Sequence, residues 1–180
     1  MRLRPIELRD LGSLENISVS RRQELTEVAV KRAVILADEG RHLLLSGDPV
    51  APGELIAAPS ATKVGGLAVC ILDADADTQT ARLRHRGDPE EYLPLHLGFA
   101  QWMREHAIDP VPRLDVLKAS GWEAMQWDRL NSIGPNDPRW RVRLIDTSNR
   151  SHDRVAGDVN RWIATALEDD SLVMRPEDWG

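Results

Sequence analysis

The chain has 180 residues, the length of one domain, and its 42% hydrophobic and 29% charged residues suffice for a buried core under a charged surface. A net charge of -6 argues against sequence-independent nucleic-acid binding, so nucleic acid is disfavoured as a partner. A single cysteine, Cys70, excludes an intramolecular disulfide framework, and no apolar run reaches the roughly 18–20 residues that span a membrane.

The first ten residues mix arginines with acids and hold no apolar h-region. No signal peptide is read there, and a cytoplasmic location is expected. Residues 4–11 (RPIELRDL) read as a short strand running into a loop. From Ser20, a good N-cap, Leu25, Val28, Ala29, Ala33 and Leu36 follow at helical spacing, with Arg32 as a polar interruption and Gly40 as the C-cap. Residues 42–46 (HLLLS) are strand-like and end in a Gly47-Asp48-Pro49 turn. A short helix over residues 52–58 opens on proline and closes at Pro59.

Residues 67–72 form a second continuous apolar run. A strand buried on both faces has no reason to alternate, which fits a parallel sheet. Cys70 sits inside this run and reads as a small buried hydrophobe. Asp75 or Asp77 caps a helix reaching Arg86, closed by Gly87-Asp88-Pro89. A helix over residues 93–106 presents Leu93, Leu97, Ala100 and Met103 on one face. Residues 114–130 are helical in part, and residues 134–138 are a loop. Residues 140–145 (WRVRLI) form a strand that ends at Asp146-Thr147-Ser148. Ser151 or Asp153 caps a last helix burying Val155, Val159, Trp162, Ile163 and Ala166. One domain over residues 1–168 and a loose acidic tail over residues 169–180 are expected.

Strands alternating with helices imply an α/β fold, a three-layer sandwich around a mostly parallel sheet. In such sheets ligands bind beyond the carboxyl ends of the strands, here at Ser46-Gly47-Asp48-Pro49, Asp73-Ala74-Asp75 and Asp146-Thr147-Ser148. The Asp73-x-Asp75-x-Asp77 spacing fails as a calcium loop, because Thr78 and Arg84 occupy the positions that need glycine and glutamate. Arg82 and Arg86 share a helix face and are suited to gripping phosphates; a helix end also simply favours cations. The five histidines show no metal-ligand spacing, so no metal site is expected. No Gly-x-Ser-x-Gly nucleophile elbow occurs.

Residues 43–54 (LLLSGDPVAPGE), 69–86 (VCILDADADTQTARLRHR) and 144–163 (LIDTSNRSHDRVAGDVNRWI) together resemble the later segments of the P-loop nucleoside and nucleotide kinases, in the P-loop NTPase superfamily. The resemblance extends over about residues 18–167. It implies ATP and Mg²⁺ as cofactors, a small-molecule or nucleotide ligand, and phosphoryl transfer. It places Arg82 near the adenine, Arg86 near the phosphates, and Asp146, Thr147, Ser148 and Asn149 beside the base. Gly47 and Glu54 fall on the substrate side, with Asp48 as the candidate catalytic base.

The departure is large. The family's Gly-x-x-x-x-Gly-Lys-Ser/Thr loop, whose amides cradle phosphates, does not occur in these 180 residues. The expectation is a kinase-like fold lacking its N-terminal central strand and this loop, with Met1 falling where the following helix has ended. The alternative is a non-catalytic binding or oligomerisation module on a decayed kinase fold (a pseudokinase), a homo-oligomer through its open sheet.

Overall fold

The structure, a computed structural model, describes residues 2–15, 17–47 and 50–179. Strand β1 (Arg2–Glu7) leads through a 3-10 turn into helix α1 (Val19–Asp38), which returns the chain to strand β2 (Arg41–Ser46). The N-cap is Ser18, whose hydroxyl accepts from the Arg21 amide at 3.1 Å; the expected cap, Ser20, lies inside the first turn. Gly40, at φ +66°, turns the chain after the helix in the left-handed region that suits glycine.

The buried side of α1 is rotated from the apolar stripe. It includes Gln23, Thr26 and Glu27 beside Leu25, Ala29 and Val30, while Val28 is exposed. The polar members are tolerated because they are hydrogen-bonded. Glu27 accepts from the Ser60 amide and hydroxyl, at 3.0 and 2.6 Å.

Helix α2 (Pro52–Ala57) begins with proline in its first turn, as expected, and precedes strand β3 (Val69–Asp73). Helix α3 (Ala76–Arg86) is capped by Asp75, which accepts from the Thr78 amide at 2.6 Å, and ends at Gly87 in the left-handed region. Helix α4 (Leu93–Ile108) follows, then the single turn α5 (Asp115–Lys118), strand β4 (Val142–Asp146) and helix α6 (His152–Glu168), capped by Ser151.

All pairing between these strands is parallel, as the apolar runs suggested. The strands nevertheless form two separate pairs: β1 with β2, from Arg2↔Arg41 to Glu7↔Ser46, and β3 with β4, from Val69↔Val142 to Asp73↔Asp146. No described helix is long and apolar enough to cross a membrane.

The main core joins α1, α2 and α4 to the loops around Leu130 and Ile133, and includes Trp102 and Trp140. His106 sits among them at 1% exposure, stacked on Trp102 at 4.8 Å between ring centroids. The segment expected to be loose reaches into this core. Met174 is fully buried and bridges Leu67, its amide donating to the Leu67 carbonyl at 2.8 Å, and Trp179 is 6% exposed. Two widely spaced apolar residues carry no periodic signal, which is why the sequence read as a tail.

Helix α6 departs from expectation in the other direction. Its apolar face has the predicted composition, yet no residue of the helix is buried. The apolar strand β2 likewise has every residue at least part-exposed.

Candidate functional site at the ends of β3 and β4

Because β3 and β4 are parallel and in register, Asp73 and Asp146 end side by side. The chain then leaves each strand through a polar turn. Thr147, 6% exposed, ties the two ends together: its amide and its hydroxyl each donate to the Asp73 carbonyl at 2.7 Å. The Ser148 hydroxyl accepts from the Asp75 amide at 2.8 Å, and the Asp146 carboxylate accepts from the Ser148 amide at 2.8 Å. Asn149 adopts φ +51°, a left-handed conformation that asparagine tolerates better than most residues.

Helix α3 aims Arg82 at this junction. Its guanidinium donates to the Thr147 hydroxyl at 2.8 Å and to the Thr147 carbonyl at 2.6 Å. Both partners are neutral. Arg104 of α4 donates to the Asp73 carboxylate at 2.8 Å, and Arg150 donates to the Asp146 carbonyl at 2.9 Å and pairs with Asp158. Among the described residues Arg82 has no carboxylate in ion-pair contact, and the Asp75 carboxylate acts on it only from beyond that range.

A cavity of about 590 Å³ opens here, lined by Asp73, Gln79, Arg82, Thr147, Arg150 and Asn160 among others. The Gln79 carbonyl oxygen is buried and makes no hydrogen bond within the protein. The Thr78 amide holds the Asp75 carboxyl below its usual range, and the Ser148 amide does the same for Asp146. The site therefore combines carboxylates that stay ionised with an arginine whose direct hydrogen-bond partners are neutral.

The candidate residues do not all come together. Arg82, Asp146, Thr147, Ser148 and Asn149 come together at this junction. Arg86 is turned toward Asp88 and does not line the cavity. Gly47 lies at the end of β2, where a Cβ would sit 3.1 Å from Val50 Cγ2. Asp48, the candidate base, lies outside the described residues.

Glu54 is completely buried, with its oxygens taken up inside the protein. Its Oε1 accepts from Arg22 at 2.5 Å and Gln23 at 3.1 Å, and its Oε2 accepts from the Ala51 amide at 2.9 Å. In this arrangement it locks α1 to α2. Sequence reading missed Gln79 and Arg104, which sit mid-helix at positions with no motif to mark them. Among the described residues no cluster of His, Cys, Asp and Glu is arranged to hold a metal.

A scan of protein-family models, a search of curated proteins and a search of solved structures each return no match to this chain.

Proposed function

We propose that the chain is the body of a P-loop-kinase-like protein with a three-layer α/β arrangement, acting as an ATP-dependent phosphotransferase on a small molecule. Its phosphate-binding loop is not contained in these 180 residues. The observation that carries this reading is Arg82, held by Thr147 through neutral oxygens at the carboxyl ends of two parallel strands, with no carboxylate in contact. That is where parallel α/β sheets bind ligands. A guanidinium with no carboxylate in direct contact there favours a phosphorylated or planar ligand.

In this reading the cavity takes the nucleotide, with Gln79 offering an acceptor to an exocyclic amine and the turn at Asp146 to Asn149 flanking the base. Arg86 reaches the phosphates only by leaving Asp88. Mg²⁺ would arrive with ATP, and these residues supply no cage for it. Without an amide cradle, residues 1–180 alone are expected to bind nucleotide without transferring phosphate efficiently.

Calorimetric titration with Mg-ATP tests the reading. Binding that weakens tenfold or more in Arg82→Ala, in a variant that remains folded under the titration conditions, is the expected result. Equal affinity in the variant removes Arg82 from the site. No binding by the wild-type chain turns the assignment toward the non-catalytic binding module, which the unpaired strand edges of the two sheets favour.

A further inference from the structure

A cavity of about 980 Å³ lies between the two strand pairs. It is lined by consecutive residues, 41–47 on one side and 65–73 on the other. A space over one face of a strand meets every second residue; a space that meets every residue runs along the strand's edge. The free edges of β2 and β3 therefore border this slot. Within the described residues β2 pairs with β1 alone and β3 with β4 alone.

The slot has the size of one strand. Strand spacing of about 4.8 Å, layer spacing of about 10 Å and six residues at about 3.3 Å each enclose on the order of 950 Å³. Its other walls are apolar side chains of α1, α4 and α6, including Ala33, Met103, Trp162 and Ile163. A lipid chain or apolar small molecule would leave two rows of backbone amides and carbonyls without partners. An extended polypeptide satisfies both rows. A strand there would also cover the apolar face of α6, which has no buried residue, and the part-exposed leucines of β2.

A second copy of the chain has nothing suitable to insert. The strand-length apolar runs, β2 and β3, border the slot themselves, β4 (VRLID) carries an arginine and an aspartate, and β1 (RLRPIE) carries arginines, a proline and a glutamate. Handedness points to the source. Helix α1 carries the chain from β1 toward the slot and packs on one face of the β1–β2 pair; among the described residues no comparably packed helix covers the other face. A right-handed connection running back from the slot to β1 places its helix on that other face.

We infer that the slot seats one more β-strand, apolar on both faces and parallel to β2 and β3, from a segment of the same polypeptide preceding β1, joined to Arg2 by a helix. The inference rests on the slot's geometry and not on nucleotide binding.

The test is the intact mass of the native protein from its source cells, with hydrogen exchange of the same material. Expected are a mass about 3 kDa or more above 20.2 kDa, as a strand and helix require, and amides of residues 41–46 and 69–73 exchanging slowly. In residues 1–180 alone the same amides should exchange on the order of a hundredfold faster. A native mass of 20.2 kDa overturns the inference. So does a heavier protein whose β2 and β3 amides exchange as fast as those of the shorter chain. Protection that appears only with dimerisation of the 20.2 kDa chain overturns it in favour of a second copy. Protected amides in a heavier protein that binds no Mg-ATP sustain this inference while removing the nucleotide reading.

Discussion

Arg82 and Thr147 are 65 residues apart in sequence, yet the guanidinium of one grips both the hydroxyl and the carbonyl of the other, at 2.8 and 2.6 Å. Thr147 in turn donates twice to the Asp73 carbonyl. One buried threonine thus joins the ends of β3 and β4 to helix α3. Thr147→Val should cost about 1–3 kcal/mol, because the Asp73 carbonyl loses one donor and Arg82 loses one acceptor. A double-mutant cycle with Arg82→Ala, followed by urea denaturation, should show coupling of about 1 kcal/mol; additive losses would mean the two do not interact in solution.

The buried pair of Arg22 and Glu54 leads to a second expectation. The two side chains are 11% and 0% exposed, so removing one partner strands a charge in the interior. Glu54→Ala should destabilise by about 3–5 kcal/mol in chemical denaturation. Arg22→Met with Glu54→Leu should recover much of that loss. If Glu54→Ala instead left stability unchanged and abolished ligand binding, Glu54 would belong to the substrate side after all.

His106 predicts a pH dependence. Burial lowers its pKa from 6.5 to about 4, and its Nε2 must stay unprotonated to accept from the Gly53 amide at 3.1 Å. Between those two values the unfolded chain takes up a proton that the folded chain refuses, so stability rises with pH across the window. The contribution, about 3 kcal/mol, is complete above pH 6.5 and disappears progressively toward pH 4. The unfolding free energy should therefore fall on acidification through that range. His106→Gln should flatten the slope, and an equally steep slope in the variant would assign the dependence to other groups.

Met174 is fully buried although it stands six residues from the chain's last position. Met174→Ala should cost about 2–5 kcal/mol, as for other large-to-small changes in a packed core. A change within 0.5 kcal/mol of zero in equilibrium denaturation would show that the segment is not held. Gly66 offers an independent check on the same contact. A Cβ there would lie 2.4 Å from Val173 Cγ1, so Gly66→Ala should loosen the segment and raise its rate of proteolysis.

Much of the local structure was legible in residue order. Asp75 and Gly87 delimit α3 as expected, Ser151 opens α6, and the apolar runs at β2 and β3 form parallel strands. These signals are local: a cap needs a side-chain oxygen within a few residues, and a strand needs a run of suitable side chains. The cap at Ser18 was misplaced by two residues because Ser18 and Ser20 offer the same chemistry, and only backbone angles distinguish them. The candidate site was half legible. The turn at Asp146 to Asn149 and Arg82 stand out by type and position, whereas Gln79 and Arg104 resemble any polar residues on a helix.

Composition and periodicity by themselves determined the alternation of strands and helices and the polar turns at their ends, because each depends on residues close in sequence. Tertiary structure decided which polar groups are sequestered, as at Gln23, Glu54 and His106, since burial depends on what other segments bring against them. It also decided that Arg82 meets Thr147 while Arg86 turns to Asp88, and that β2 and β3 face each other across an unfilled slot. Apart from the local Arg86–Asp88 pair, those outcomes hinge on contacts between residues far apart in the chain, which no local pattern encodes.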